Sequence, residues 1–196
     1  MFYAVNISNG EMIWEFKTGK QIKSSPAVAL GIVCFGSEDS IFYALDINTG
    51  KKLWHFTTGD KIVSSPLVSD SIVYFGSDDL YLYALNIYSG KLIWKKETYG
   101  KIQSSPALAG GVLYFGGSDA VIHAVDSKTG KEKWSYVTGA AIAGSASVYG
   151  GLVYIGSRDG ALYAIDAASG NQKWKFRAKG KIQSSPAVYE IGRAHV

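Results

Sequence analysis

The chain has a single cysteine, Cys34, among its 196 residues. An intrachain disulfide is therefore excluded. No familiar zinc spacing can be built from Cys34 with His55, His123 and His195. Proline is scarce, with 4 residues against 23 glycines, so the turns rest on glycine. No apolar run reaches the ~20 residues that a membrane-spanning helix needs. Charge of neither sign dominates: 20 Lys and Arg against 16 Asp and Glu leave +4. The excess sits mostly in turns, at Lys20, Lys51, Lys91, Lys101, Lys131 and Lys181. No run of Lys and Arg interleaves with aromatics as a nucleic-acid surface would require, so no nucleic-acid partner is expected.

What is present is a repeat. Residues 44–54 read Ala-x-Asp-x-x-x-Gly-Lys-x-x-Trp, and variants of the stretch return at 4–14, 84–94, 124–134 and 164–174. The five tryptophans Trp14, Trp54, Trp94, Trp134 and Trp174 stand 40 residues apart, as do Gly10, Gly50, Gly90, Gly130 and Gly170. A fixed period of this length calls for a repeat architecture before any other reading. Within one period, 62–69, 72–76, 80–86 and 91–96 read as four short strands joined by hairpin turns. The third of them is apolar on both faces, at Tyr81, Tyr83 and Leu85 and at Leu82 and Ala84. Such a strand belongs to a sheet covered on both sides. Four-stranded antiparallel sheets packed face to face at this period predict an all-β protein, a β-propeller.

Four full blades are expected at about 22–56, 62–96, 102–136 and 142–176, with partial blades at 2–16 and 182–189. These make an incomplete propeller over 1–189, expected as an open arc or as a forced and imperfect closure. The last seven residues, 190–196, leave the template and resemble the translation of a sequencing-adapter read; they are expected to be a non-native tail. Pro26, Pro66, Pro106 and Pro186 fall inside the first strand of their repeats, which makes that strand an edge, the innermost one. Its serines, Ser24, Ser25, Ser64, Ser65, Ser104, Ser105, Ser145, Ser184 and Ser185, are candidates to face a central channel. The tryptophan strand is then the outer edge. The indole fills the gap where blades splay, and Ala4, Ala44, Ala84, Ala124 or Ala164, two strands inward, leaves it room. Asp46, Asp126 and Asp166, with Asn6 and Asn86, suit the backbone donors of the following turn.

The motif Ala-x-Asp-x-x-x-Gly-Lys-x-x-Trp, with Ser-Ser-Pro-Ala-Val at 24–28, resembles the tryptophan-docking repeat of the PQQ-type β-propellers over essentially all of 1–189. The resemblance implies a fold of seven or eight blades. It leaves function open among quinoprotein dehydrogenases, the lipoprotein that assists outer-membrane-protein assembly, and fused sensor domains. A dehydrogenase of that family would need a vicinal cysteine pair, acidic calcium ligands and an aspartate base, none of which stands out here. Catalytic, cofactor-binding and metal-ligating residues are therefore expected to be absent, with PQQ and calcium reserved for the case of a dehydrogenase parent. Asp39, Asp79, Asp119 and Asp159 recur with the period and read as turn formers. His123 stands in the slot of Tyr43, Tyr83 and Tyr163 and reads as a packed residue. The expected function is a non-catalytic scaffold for protein or peptide partners. The resemblance favours the periplasm, cell envelope or exterior. A recognition domain fused to an enzyme such as a kinase and a dehydrogenase fragment are the alternatives. Functional residues are expected where repeats differ, as at Tyr99, His123 and 144–146.

Overall fold

The structure, a computed structural model, describes residues 1–188; residue 189 and the expected tail at 190–196 lie outside the described residues. Alternating side chains and glycine turns produce eighteen strands, and no helix is formed among the described residues. A two-stranded piece, β1 (Phe2–Val5) and β2 (Met12–Phe16), comes first. Blade 1 is β3 (Ala27–Ala29), β4 (Ile32–Gly36), β5 (Ile41–Asp46) and β6 (Lys52–Thr57). Blade 2 is β7 (Leu67–Ser69), β8 (Ile72–Gly76), β9 (Tyr81–Asn86) and β10 (Leu92–Glu97). Blade 3 is β11 (Ala107–Ala109), β12 (Val112–Gly116), β13 (Val121–Asp126) and β14 (Glu132–Val137). Blade 4 is β15 (Ser147–Tyr149), β16 (Leu152–Gly156), β17 (Ala161–Asp166) and β18 (Gln172–Arg177). Each blade is an antiparallel meander in which every strand pairs only with its sequence neighbours.

The two middle strands of a blade are apolar on both faces because both faces are covered. Each hydrophobic cluster draws on two successive blades: Phe42 and Cys34 pack with Phe75 and Val73, and Leu82 and Tyr74 pack with Phe115 and Leu113. Phe42 and Phe75 stack across the first of these seams with centroids 4.0 Å apart. Hydrophobic burial therefore holds blades to one another, while backbone ladders hold strands within a blade.

Three sequence expectations need correction. The innermost strand is shorter than expected, three residues in each full blade, and Pro26, Pro66 and Pro106 stand immediately before it. Proline offers no N–H to a ladder, so pairing starts after it. The inner strand expected at 182–189 does not form over 182–188. In the full blades this short strand exists by pairing with the strand that follows it. The alanine, finally, sits one strand from the tryptophan and not two: Ala44 is directly opposite Trp54, and Ala84 opposite Trp94.

Candidate functional site

The most repeated polar and aromatic groups converge on the seams between blades. The sequence-singled tryptophan motif forms the first seam contact. Trp54 Nε1 donates to the Ile87 carbonyl of the next blade at 2.8 Å. Trp14, Trp94 and Trp134 do the same toward Ile47, Ser127 and Ala167 at 3.0, 3.0 and 2.9 Å. The indole lies on the glycine of that next turn. At Gly90 φ is +67°, and a Cβ there would come within 2.6 Å of the Trp54 ring. Gly50, Gly130 and Gly170 receive Trp14, Trp94 and Trp134 in the same way, whereas a Cβ on Gly10 would meet nothing. Glycine is required at these turns twice over, for the left-handed backbone and for the ring that covers it. Ala44, Ala84, Ala124 and Ala164 are fully buried opposite their tryptophans, while Ala4 is half-buried. Trp174 is 43% exposed.

The motif's acidic residue shapes the same turn. Asp46 Oδ1 accepts the Asn48 and Thr49 N–H groups and the Thr49 hydroxyl. Asp126 and Asp166 repeat the arrangement. The Ser169 N–H, the Ser169 hydroxyl and Lys173 hold the Asp166 carboxyl down to about 2.

A second seam contact was not legible as such. Asp79 Oδ1 accepts the Tyr81 N–H, as a turn former should. Its Oδ2 also accepts the Tyr83 hydroxyl at 2.7 Å and the Gly59 N–H, from the connection leading into the blade, at 2.7 Å. Asp39 binds Tyr43 and Gly19, and Asp159 binds Tyr163 and Gly139, in the same geometry. Burial, and then the bond to Asp159, push the Tyr163 phenol up to about 12. These aspartates are latches between a turn, a strand and a preceding connection.

The serines expected to face a channel divide into two sets. Ser24, Ser64 and Ser104 are buried. Ser24 and Ser104 exchange hydrogen bonds with the backbone of Gly36 and Gly116, at 2.9 to 2.7 Å for the hydroxyl as donor. Ser64 donates to Ser104 of the next blade at 3.0 Å. A buried hydroxyl must find partners, and here the backbone supplies them, so this set does not line a channel. The second set links blades: the hydroxyls of Ser65, Ser105, Ser145 and Ser185 accept the N–H of Ser25, Ser65, Ser105 and Ser145. Ser184 is exposed. In blade 4, where Gly144 and Ala146 replace the usual serine and proline, this link persists through Ser145.

Two departures from the repeat, Tyr99 and His123, meet at one latch. In blade 3 His123 takes the tyrosine slot, with Nε2 3.2 Å from Asp119 Oδ2. Its ring stacks on Phe115 at 4.9 Å. Nδ1 is buried and has no hydrogen-bond partner. Asp119 also accepts the N–H of Tyr99, a residue 96% exposed. Gly100 is packed so closely that a Cβ would lie 2.2 Å from the Asp119 nitrogen. Burial alone would raise the Asp119 carboxyl, but the bond and charge of His123 and two backbone N–H groups outweigh it and hold it low.

One seam also carries a buried charge. Asp78, whose side chain is fully buried, faces Lys101 Nζ at 3.3 Å, Lys61 Nζ at 3.8 Å and Gln103 Nε2 at 3.0 Å. On the opposite face a cavity of about 520 Å³ opens between blades 3 and 4, lined by Val112, Tyr114, Val148 and Tyr149 with small residues at Gly110 and Ala168. Cys34 is inert here, since burial pushes its thiol up to about 12. No group of three or more His, Cys, Asp or Glu side chains converges as metal ligands would among the described residues.

Comparison with known proteins bears on the repeat as a whole. A sequence model of the family described as "Beta-alanine-activating enzyme, beta-propeller" matches residues 1–194. No curated protein matches the chain. BamB from Moraxella catarrhalis superposes with a TM-score of 0.80 at 21% identity, covering 90% of this chain and 58% of BamB. The computationally designed protein Ika8 gives 0.83 at 18% identity, over 94% of this chain and 58% of the design. The quinohemoprotein alcohol dehydrogenase ADHIIG from Pseudomonas putida gives 0.71 at 18%, over 84% of this chain and 35% of the enzyme. At these identities the likeness is one of fold: a β-propeller built from repeated four-stranded blades. The chain spans less than two thirds of each of these proteins.

Proposed function

The chain belongs to the β-propeller family of the beta-alanine-activating enzyme, and from that premise we propose that it is a binding scaffold without catalysis of its own. One observation carries the reading. The polar groups that recur in the repeat are spent within the fold: the Asp latches on tyrosine and backbone, the motif carboxylates on their turns, the serines on backbone and neighbouring blades. What remains free differs from blade to blade, as at Tyr99. That is the pattern of a scaffold that varies its surface over a constant frame. The likeness to BamB supports a protein or peptide as partner and the cell envelope as its place. A quinone cofactor is not part of the reading. The vicinal cysteine pair that the resemblance to quinoprotein dehydrogenases implies would have no counterpart in a chain whose one thiol, Cys34, is enclosed in the core.

A second reading draws on the matched family itself. Its description names an activating enzyme, so this propeller would be the recognition part of such an enzyme, presenting a partner or substrate to a domain elsewhere in the same protein. Two assays separate the readings from an oxidoreductase. A photo-crosslinker placed at Tyr99 is expected to give one discrete adduct with a protein partner. Dye reduction with added PQQ, Ca²⁺ and simple alcohols is expected to stay at the protein-free rate. Turnover above that rate, lost in Asp119→Asn, would overturn the scaffold reading.

A further inference from the structure

The bulged residue of each outer strand occupies the same place in every blade. In blades 3 and 4 it is Lys133 and Lys173, which reach back to the turn carboxylates Asp126 and Asp166 at 3.8 and 3.2 Å. In blades 1 and 2 it is Leu53 and Ile93, 50% and 44% exposed. The fold therefore accepts, at this point, a lysine that pairs with its own turn. Two covered blades, each flanked on both sides, instead present an aliphatic group to water. Their neighbours share the character: Leu92 is 45% exposed and Tyr88 58%, where blades 3 and 4 carry Glu132 and Gln172, and Lys128 and Ala168. The docking of Trp54 on the turn of Ile87 and Gly90 joins the two sets into one sector of the rim. Lys51, Lys52 and Lys91 surround it, exposed and without an ion pair among the described residues.

We propose that this sector of the outer rim, Leu53, Tyr88, Leu92 and Ile93 among lysines, rests on an anionic lipid surface. Three features favour lipid over a protein. The bulges at Leu53 and Ile93 break the ladder within this sector, so the edge there offers no continuous row of N–H and C=O groups to an added strand. The rim is convex, since successive blades of a ring of at most about eight turn by at least about 45°; a fluid interface conforms to such a ridge, whereas a rigid partner would need a matching groove. Lysine is depleted at protein interfaces, while aliphatic groups flanked by lysines, with Tyr at the edge, are what sits at a membrane surface. The rim is basic around several blades; Met12 and Ile13 of the two-stranded piece are also exposed, but beside Glu11 and Glu15, so only blades 1 and 2 set aliphatic groups among lysines: the charges attract and the aliphatic sector sets which side faces the lipid.

The test is co-sedimentation of the full chain with vesicles of 70:30 phosphatidylcholine and phosphatidylserine. Binding is expected at low salt and loss at about 0.5 M salt, where the screening length falls to a few ångström. The triple variant Leu53→Gln, Leu92→Gln, Ile93→Gln leaves the charge unchanged and is expected to weaken partitioning by at least about tenfold. Removing Lys51, Lys52 and Lys91 as glutamine is expected to weaken it by about fivefold per lysine. Unchanged indole signals establish that each variant is folded, and blade 4 already carries Gln172 in the slot of Leu92. No partitioning of the wild type overturns the proposal. So does partitioning that the aliphatic variant leaves intact, which would be charge attraction alone. Self-association of the wild type, abolished by the same variant, would make the sector an interface between copies and overturn it equally. None of these outcomes touches the scaffold reading, which rests on the latches.

Discussion

Replacing Trp94 and Trp174 by alanine in parallel separates what a tryptophan is worth in the motif from what it is worth in a docked seam. Trp94 is 9% exposed, covers Gly130 and donates to the Ser127 carbonyl at 3.0 Å. An indole buries roughly 150–250 Å², and ~25 cal/mol per Å² gives roughly 4–6 kcal/mol as an upper bound. The lost hydrogen bond adds little, because the Tyr74 hydroxyl still reaches Ser127 O at 3.1 Å. Trp94→Ala is therefore expected to cost about 3–5 kcal/mol, in line with other large-to-small core changes. Trp174 occupies the same slot but is 43% exposed. Trp174→Ala should cost about 1 kcal/mol, as a surface-side truncation does. For a chain of this length 1 kcal/mol moves the melting point by about 2–4 °C, so the first variant should melt about 6–20 °C lower and the second within a few degrees of the parent. Urea titrations followed by far-UV circular dichroism give the free energies directly. Equal losses in the two variants would refute the seam argument and leave the motif a within-blade feature.

Gly90→Ala combines a left-handed φ with a Cβ 2.6 Å from the Trp54 ring, and is expected to destabilise by about 2–3 kcal/mol, measured by the same titration; Gly10→Ala, with open space, should cost only its backbone strain of about 1 kcal/mol. His123→Tyr removes a buried nitrogen without a partner and restores the latch of the other blades, so it should stabilise by about 1 kcal/mol in urea titrations. Asp119, Asp126 and Asp166 have carboxyls held below the ordinary range. A depressed carboxyl stabilises the fold above its unfolded value of about 4 and loses that contribution as pH falls further. Stability should thus be level between about pH 5 and 9 and decline from about pH 4 toward 2, with the Asp166 carboxyl titrating near 2 by NMR. Cys34, enclosed and with its thiol pushed up to about 12, should resist a thiol reagent in the folded protein and react on unfolding.

Much of the frame was legible because it repeats. A 40-residue interval of Trp, Gly and Ala is visible in the letters, and period-2 apolar strands between glycine turns leave few folds open. What escaped were partners distant in sequence. The indole acceptor lies 33 residues ahead of each of the four docked tryptophans, and the N–H bound by Asp79 lies 20 residues behind it, at Gly59. Nothing in a turn-forming aspartate announces a second bond, to the connection that leads into the blade. The serines misled for a related reason. A hydroxyl next to a presumed channel is polar enough to line it, but Ser24, Ser64 and Ser104 are consumed by backbone groups that a short inner strand leaves free. The blade-3 departures were visible singly as Tyr99 and His123; that both meet at Asp119 required the packing of the connection at 98–100 against the following turn.

The claim that the tryptophan motif is a joint between blades is tested most directly by hydrogen exchange at the five indole Nε1–H groups in ¹⁵N-resolved NMR spectra. Trp14, Trp54, Trp94 and Trp134, each bonded to a carbonyl of the next blade, should exchange slowly, and Trp174 at close to the rate of free indole. Five indoles exchanging alike, fast or slow, would contradict it.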